Sequence, residues 1–176
     1  MENIIFCSSP FQVLVAKEVV QTVSEDFIGI YLKMSNDARQ IFYAERMAEF
    51  CKEVIVLEGK TVLNDIQDAL KDRFISNLYL ASLDNPVALS IFNPSTMNLY
   101  TFDDGSTSIV PLNLYTQNLE RGIPYTNFTL REVMSLSNRH YTVFEDCILF
   151  PKEKQVFLKL HLEPSHFHRA KNGKKI

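Results

Sequence analysis

The sequence predicts an α/β domain built on a Rossmann-like, doubly wound parallel sheet, and three observations point to it. Over roughly the first hundred residues, short apolar runs alternate with helical patterns, the rhythm of strand–helix–strand units that lie parallel in one sheet. The opening run, Asn3 to Cys7, is almost wholly apolar, as strands covered on both faces are. Two helical stretches open on a capping residue followed by proline, Ser9-Pro10 and Asn85-Pro86, which marks a helix start in the chain itself.

The elements follow in order. Asn3 to Cys7 reads as the first strand. The helix that begins at Pro10 carries Phe11, Leu14, Val15, Val19 and Val23 at helical spacing, so one face packs on a sheet. Phe27 to Leu32 is a second strand, and residues from Asp37 to Phe50 form a helix with Ile41, Ala44, Met47 and Ala48 on one side. Glu53 to Leu57 gives a third strand and Val62 to Phe74 a helix. Asn77 to Ala81 is the fourth strand, and Met97 to Phe102 the fifth, ending at Asp103-Asp104-Gly105. Beyond this the rhythm breaks. Residues 107–128 read as loops punctuated by Pro111, Gly122 and Pro124. Thr129 caps a short helix through Leu136, with Glu132 at capping-box spacing. Gln155 to Leu162 alternates Val156, Leu158, Leu160 and Leu162 like a strand. Residues 1–150 are therefore expected to form one domain. Residues 151–176 are expected to be the start of a truncated second domain or a disordered basic tail.

Composition narrows the function classes. A chain of 176 residues, 46% hydrophobic and 22% charged, has the material for a real core. No apolar run reaches the roughly 18 residues that span a bilayer, and the start shows no signal-peptide pattern. Cys7, Cys51 and Cys147 are odd in number and widely spaced, which suggests reduced thiols in the cytoplasm rather than disulfides or zinc. A net charge of −3 gives no footprint for nucleic acid. Arg169, Lys171, Lys174 and Lys175 make the tail basic; a solvated tail is the plain reading, and contact with the inner face of a membrane or with an acidic partner the alternative. Association with a second copy of the chain is left open.

Chemistry is expected in two places. Asp103-Asp104-Gly105-Ser106 follows a predicted buried strand, and open α/β sheets bind ligands outside the carboxyl ends of their strands. If the chain is still extended there, the two carboxylates point to opposite sides, so one faces a cleft while the other braces the turn. A strand-ending turn alone is the plainer alternative. Ser8-Ser9-Pro10-Phe11-Gln12 follows the first strand and should share that edge, either as a hydroxyl-rich ligand contact or simply as a helix cap. Histidines 140, 161, 166 and 168 complete no metal-ligand spacing. There is no G-x-G-x-x-G, Walker loop or G-x-S-x-G. No cofactor and no metal are expected.

These segments together resemble a known family. The opening Ser-Pro-Phe-Gln, then Asn77-Leu78-Tyr79-Leu80-Ala81, then Tyr100-Thr101-Phe102-Asp103-Asp104-Gly105-Ser106, look like glycosyltransferase family 52. That family contains bacterial lipooligosaccharide and capsular sialyltransferases and some glucosyltransferases. The resemblance implies the N-terminal, acceptor-side domain of a GT-B enzyme, and inverting, metal-independent transfer of sialic acid from CMP-sialic acid to a galactoside. Asp104 would be the general base, with Ser8, Ser9, Gln12, Asp103, Gly105 and Ser106 on the acceptor side. The family's His-Pro motif is absent, since no histidine here precedes a proline. The resemblance therefore implies a chain without its donor half, inactive unless that half is supplied. The competing reading is a stand-alone flavodoxin-like binding or regulatory domain.

Overall fold

The computed structural model describes residues 2–35, 37–111 and 114–161. Its centre is a seven-stranded sheet in which every neighbouring pair is parallel. The strands are β1 (Glu2–Cys7), β2 (Phe27–Lys33), β3 (Glu53–Glu58), β4 (Ile75–Leu80), β5 (Asn98–Phe102), β6 (Ser137–Thr142) and β7 (Gln155–Phe157). Their spatial order is β3-β2-β1-β4-β5-β6-β7. The chain thus builds outward from β1 in one direction, returns, and builds outward in the other from β4. Right-handed crossovers place the helices of the two halves on opposite faces.

Helix α1 (Pro10–Val23) and α2 (Ala38–Arg46) cover one face, and α3 (Val62–Leu70), α4 (Pro86–Leu89) and α6 (Leu130–Leu136) the other. The alternation in β1 shows why both faces must be covered. Ile5 and Cys7 pack with Val13, Val15, Val19 and Met47, while Ile4 and Phe6 pack with Ile66, Leu70 and Leu89. A strand with two apolar faces is stable only between two helical layers, because each fully buried aliphatic side chain contributes about 1.5–3 kcal/mol.

Local chemistry sets the helix starts. Ser9 is extended and its hydroxyl accepts the Gln12 N–H, with Pro10 in the first turn. Asn85 accepts from Val87 and Ala88 ahead of α4. Thr129 and Glu132 form a complete capping box. Gly29 in β2 lets the layer above approach closely: a Cβ there would stand 2.8 Å from Met47 Cε and 3.0 Å from Cys51 Sγ.

At the amino ends of the strands, an asparagine ladder crosses the sheet. Asn77 donates to Asn3 (2.7 Å), Asn98 to Asn77 (3.0 Å) and Asn138 to Asn98 (3.3 Å). Asn3 in turn donates to Glu25 (2.7 Å). A one-residue slip of any of these strands would break the ladder, so it pins register at that edge.

Several elements differ from expectation, among them a short helix at Leu114–Gln117 in the stretch read as loops. β6 was not foreseen, because Ser-Asn-Arg-His-Tyr-Thr has no apolar alternation. Of its four buried residues only Tyr141 joins the apolar core; Ser137, His140 and Thr142 are polar and hydrogen-bonded. α3 stops at Leu70, short of Phe74. Among the described residues the alternating run after Gln155 pairs through Phe157, and Leu162 lies outside them; Leu158 is buried, and His161 is turned back onto α1, where Glu18 accepts from its N–H and faces its ring Nδ1, both at 3.0 Å. β7 joins the same sheet beyond residue 150. His166, His168 and the basic tail lie outside the described residues. No helix among the described residues is long and apolar enough to cross a membrane.

Candidate functional site

In a doubly wound sheet the crevice opens where the strand order reverses, here at the carboxyl ends of β1 and β4, with β5 alongside. Ser8 follows β1, Ser82 follows β4, and Asp104 follows β5. The side chain that joins them is Gln12, from the first turn of α1, which is only 2% exposed. Its Oε1 accepts from the Ser8 N–H (2.6 Å) and the Ser8 hydroxyl (3.2 Å). Its Nε2 donates to Ser82 Oγ (3.0 Å) and to Asp104 Oδ1. Ser82 donates to Asp104 Oδ2 (2.9 Å), and Tyr115, from the short helix α5 (Leu114–Gln117), donates to the same oxygen (3.1 Å).

The Asp104 carboxylate therefore receives three side-chain donors while remaining half-buried at the rim. Three donors orient a carboxylate strongly, and a carboxylate has about four lone-pair sites, one more than the donors found among the described residues. Burial, and then the charge of Asp104, push the Tyr115 phenol well above its usual range, so it remains a donor. Beneath the site, burial followed by the Cys51 and Asp104 charges raises Cys7, which stays a thiol.

The backbone at the motif is sharply turned. Asp104 has φ −107° and ψ 44°, and Gly105 has φ +81°, a left-handed value that favours glycine. A single 3-10 turn, Gly105–Ser108, follows. Ser9 caps α1, Ser106 is exposed, and Gly105 is half-buried.

Asp103 points the other way. It is fully buried; Oδ2 accepts from the Val143 N–H (2.7 Å) and Oδ1 faces His140 Nε2 (3.2 Å). His140 Nδ1 meets Thr101 Oγ1 (3.0 Å), and Phe150 stacks on the ring with centroids 4.4 Å apart. Burial alone would lower the His140 imidazole, but its bonds to Asp103 and Cys147 outweigh this and leave it raised. Burial would likewise raise Cys147, but the His140 contact leaves it lowered.

Asp103, His140 and Cys147 offer ligand atoms within 4.8 Å of one another, and are the group among the described residues that could hold a metal ion. Structural zinc sites close with four protein ligands, and catalytic ones leave a position open to water or substrate. This trio supplies three, all buried, so it is satisfied better as a hydrogen-bonded network.

Of the residues singled out in the sequence, the structure brings Ser8, Gln12 and Asp104 into one hydrogen-bonded group and puts Ser9, Gly105 and Ser106 around it. Ser82, Tyr115 and His140 were missed. Ser82 carried a usable signal, since it follows the strand on the other side of the reversal. Tyr115 and His140 carried none.

Fold and site thus define a doubly wound α/β domain with a polar, carboxylate-centred site at its switch point. No family model matches the chain. It is similar to two curated bacterial enzymes. One is the CMP-N-acetylneuraminate:beta-galactoside alpha-2,3-sialyltransferase of Pasteurella multocida, 25% identical over 160 residues, which takes in 81% of this chain and 52% of that protein. The other is the N-acetyllactosaminide alpha-2,3-sialyltransferase of Haemophilus influenzae, 26% identical over 161 residues, or 81% of this chain and 53% of that protein. The chain spans about half the length of the curated relatives it matches. The likeness is to sialyltransferases, as the motifs suggested.

Proposed function

We propose that this domain is the acceptor-binding side of a sialyltransferase and that Asp104 is its general base. The observation that supports this most is the carboxylate itself: half-buried at the switch point, oriented by Gln12, Ser82 and Tyr115, in a chain similar to two α-2,3-sialyltransferases. An acceptor β-galactoside enters the crevice at Ser8, Ser9, Gly105 and Ser106, and presents its hydroxyl to the free lone pair of Asp104. As that oxygen attacks the anomeric carbon of CMP-sialic acid, its proton passes to Asp104. The bond from the anomeric carbon to the phosphate oxygen breaks, its electron pair leaves with CMP, and the centre inverts. Gln12 and Asp103 hold the base rather than touch the sugar. A second domain holds the donor.

The test is transfer from CMP-sialic acid to lactose by an enzyme in which this domain is combined with a donor-holding domain. General-base assistance is worth about 10²- to 10⁴-fold, so Asp104→Asn lowers kcat by about two orders of magnitude or more, with the lactose KM little changed. The domain alone binds lactose and not CMP. An Asp104→Asn enzyme with near wild-type kcat would remove the base assignment, and an isolated domain that binds CMP tightly would remove the division of labour.

A further inference from the structure

We propose that Asp103, His140 and Cys147, backed by Thr101, form a positioning network that fixes where Asp104 leaves the sheet. The inference deepens the reading of Asp104 as a base and rests on it for its functional meaning. The geometry itself stands apart from that reading.

The chain must be held firmly just before Asp104, because it departs from extended geometry at Asp104 and turns left-handed at Gly105. The strand ladder alone does not hold it. The β5–β6 register shifts between Leu99 and Thr101, and the last regular pair is Phe102 with Tyr141. Three ties carry the chain past that point, all from Asp103. Its N–H donates to Tyr141 O (3.2 Å), and its carboxylate accepts from the Val143 N–H (2.7 Å) and meets His140 Nε2 (3.2 Å). A fully buried carboxylate is costly unless paired and hydrogen-bonded, and here the imidazole supplies the pairing.

The surroundings of His140 keep it bonded in either charge state. When the ring is neutral, the Thr101 hydroxyl donates to Nδ1. When the ring is protonated, Thr101 accepts from Nδ1–H and turns its own proton to Ser137 Oγ (2.9 Å) or Arg139 O (3.4 Å). Neither state leaves an orphaned ring nitrogen, so the network survives the protonation change that would otherwise release Asp103. Cys147 also contacts the imidazole, with its sulfur within 4.8 Å of the His140 and Asp103 ligand atoms, and Phe150 covers the ring face. An apolar side chain would fill this volume; the imidazole adds a directed bond to the residue before Asp104.

A reporter exists on the far side of the carboxylate. The Gln12 side-chain amide donates to Asp104 and Ser82, has no contact with His140, and gives its own NMR signals. In the chain as it stands, His140→Leu is expected to shift the Gln12 amide resonances away from their wild-type positions. It should also speed exchange of the Val143 and Asp103 amides by about tenfold beyond any change in the β1 amides. His140→Gln, which keeps an amide donor toward Asp103, should restore most of both. Should His140→Leu fail to fold, Thr101→Val removes the hydroxyl behind the ring at nearly constant volume and should produce the same pattern more weakly. A Gln12 signal unmoved in these variants, or Val143 exchange that merely tracks β1, would overturn the proposal and leave His140 a packing residue. A lactose titration runs beside it. If wild type fails to bind lactose while the Gln12 and Val143 responses appear, the acceptor reading fails and the network stands.

Discussion

Exchanging Gln12 for glutamate alters one functional group and inverts the chemistry of the site. The Nε2 that donates to Asp104 and Ser82 becomes an acceptor facing an acceptor. Residue 12 is only 2% exposed while Asp104 is half-buried, so water screens the pair in part. Two carboxylates about 3 Å apart at an effective dielectric of about 20 repel by about 5 kcal/mol. Keeping one carboxyl of ordinary pKa protonated at neutral pH costs about 4 kcal/mol, at about 1.4 kcal/mol per pH unit. The second route is cheaper, so the folded variant carries one proton that its unfolded chain has released. Stability then falls as pH rises above the unfolded carboxyl value and recovers as pH falls toward it. Urea unfolding of wild type and Gln12→Glu should therefore differ by about 4 kcal/mol at neutral pH, a drop of roughly 10 °C in Tm for a domain of this size. The gap should narrow by about 1.4 kcal/mol for each pH unit toward about pH 5. A gap below about 1 kcal/mol at neutral pH, or one flat with pH, would refute the Gln12–Asp104 contact.

Two further perturbations test the frame around the site. Gly29→Ala drives a methyl into Met47 and Cys51 and should cost about 1–3 kcal/mol in urea unfolding; no loss would mean the layer above β2 sits farther off. Ser108 is fully buried and its hydroxyl has no hydrogen-bond partner among the described residues. Ser108→Ala should therefore be neutral or stabilise by up to about 1 kcal/mol, and a loss larger than that would reveal a partner for the hydroxyl.

What the sequence disclosed follows from how local the causes were. Ser9-Pro10, Asn85-Pro86 and Thr129 with Glu132 fix helix starts through contacts within four residues, and such signals need no knowledge of the fold. The division of labour at Asp103-Asp104 was legible from strand alternation, which turns one carboxylate inward and the next outward. β6 was hidden because three of its four buried positions, Ser137, His140 and Thr142, are polar, satisfied by β5 and by the loop after β6, and only Tyr141 is apolar. The same holds for Tyr115, which reaches Asp104 from a segment that reads as loop. Its hydroxyl is a site residue only because the sheet brings β4 and β5 together beneath it. Ser82 lies between these cases, local in position and tertiary in partner.

The two ends of β5 explain why a carboxylate at this point could serve as a base at all. A misplacement of about 1 Å can cost on the order of 100-fold in rate, so the strand that carries Asp104 must neither slide nor fray. Sliding is opposed at the amino end, where Asn98 lies in the middle of the ladder between Asn77 and Asn138. Fraying is opposed at the carboxyl end, where Asp103 is tied to Tyr141, Val143 and His140. Between them the strand contributes Leu99 and Phe102 to opposite faces of the core. Asp104 is then the first residue beyond the clamp, and its remaining freedom is taken up by donors from three other segments of the chain: Gln12 of α1, Ser82 after β4 and Tyr115 of α5. A surface turn needs none of these restraints. Their convergence on one half-exposed carboxylate favours a reactive role for Asp104 over a turn that merely ends a strand.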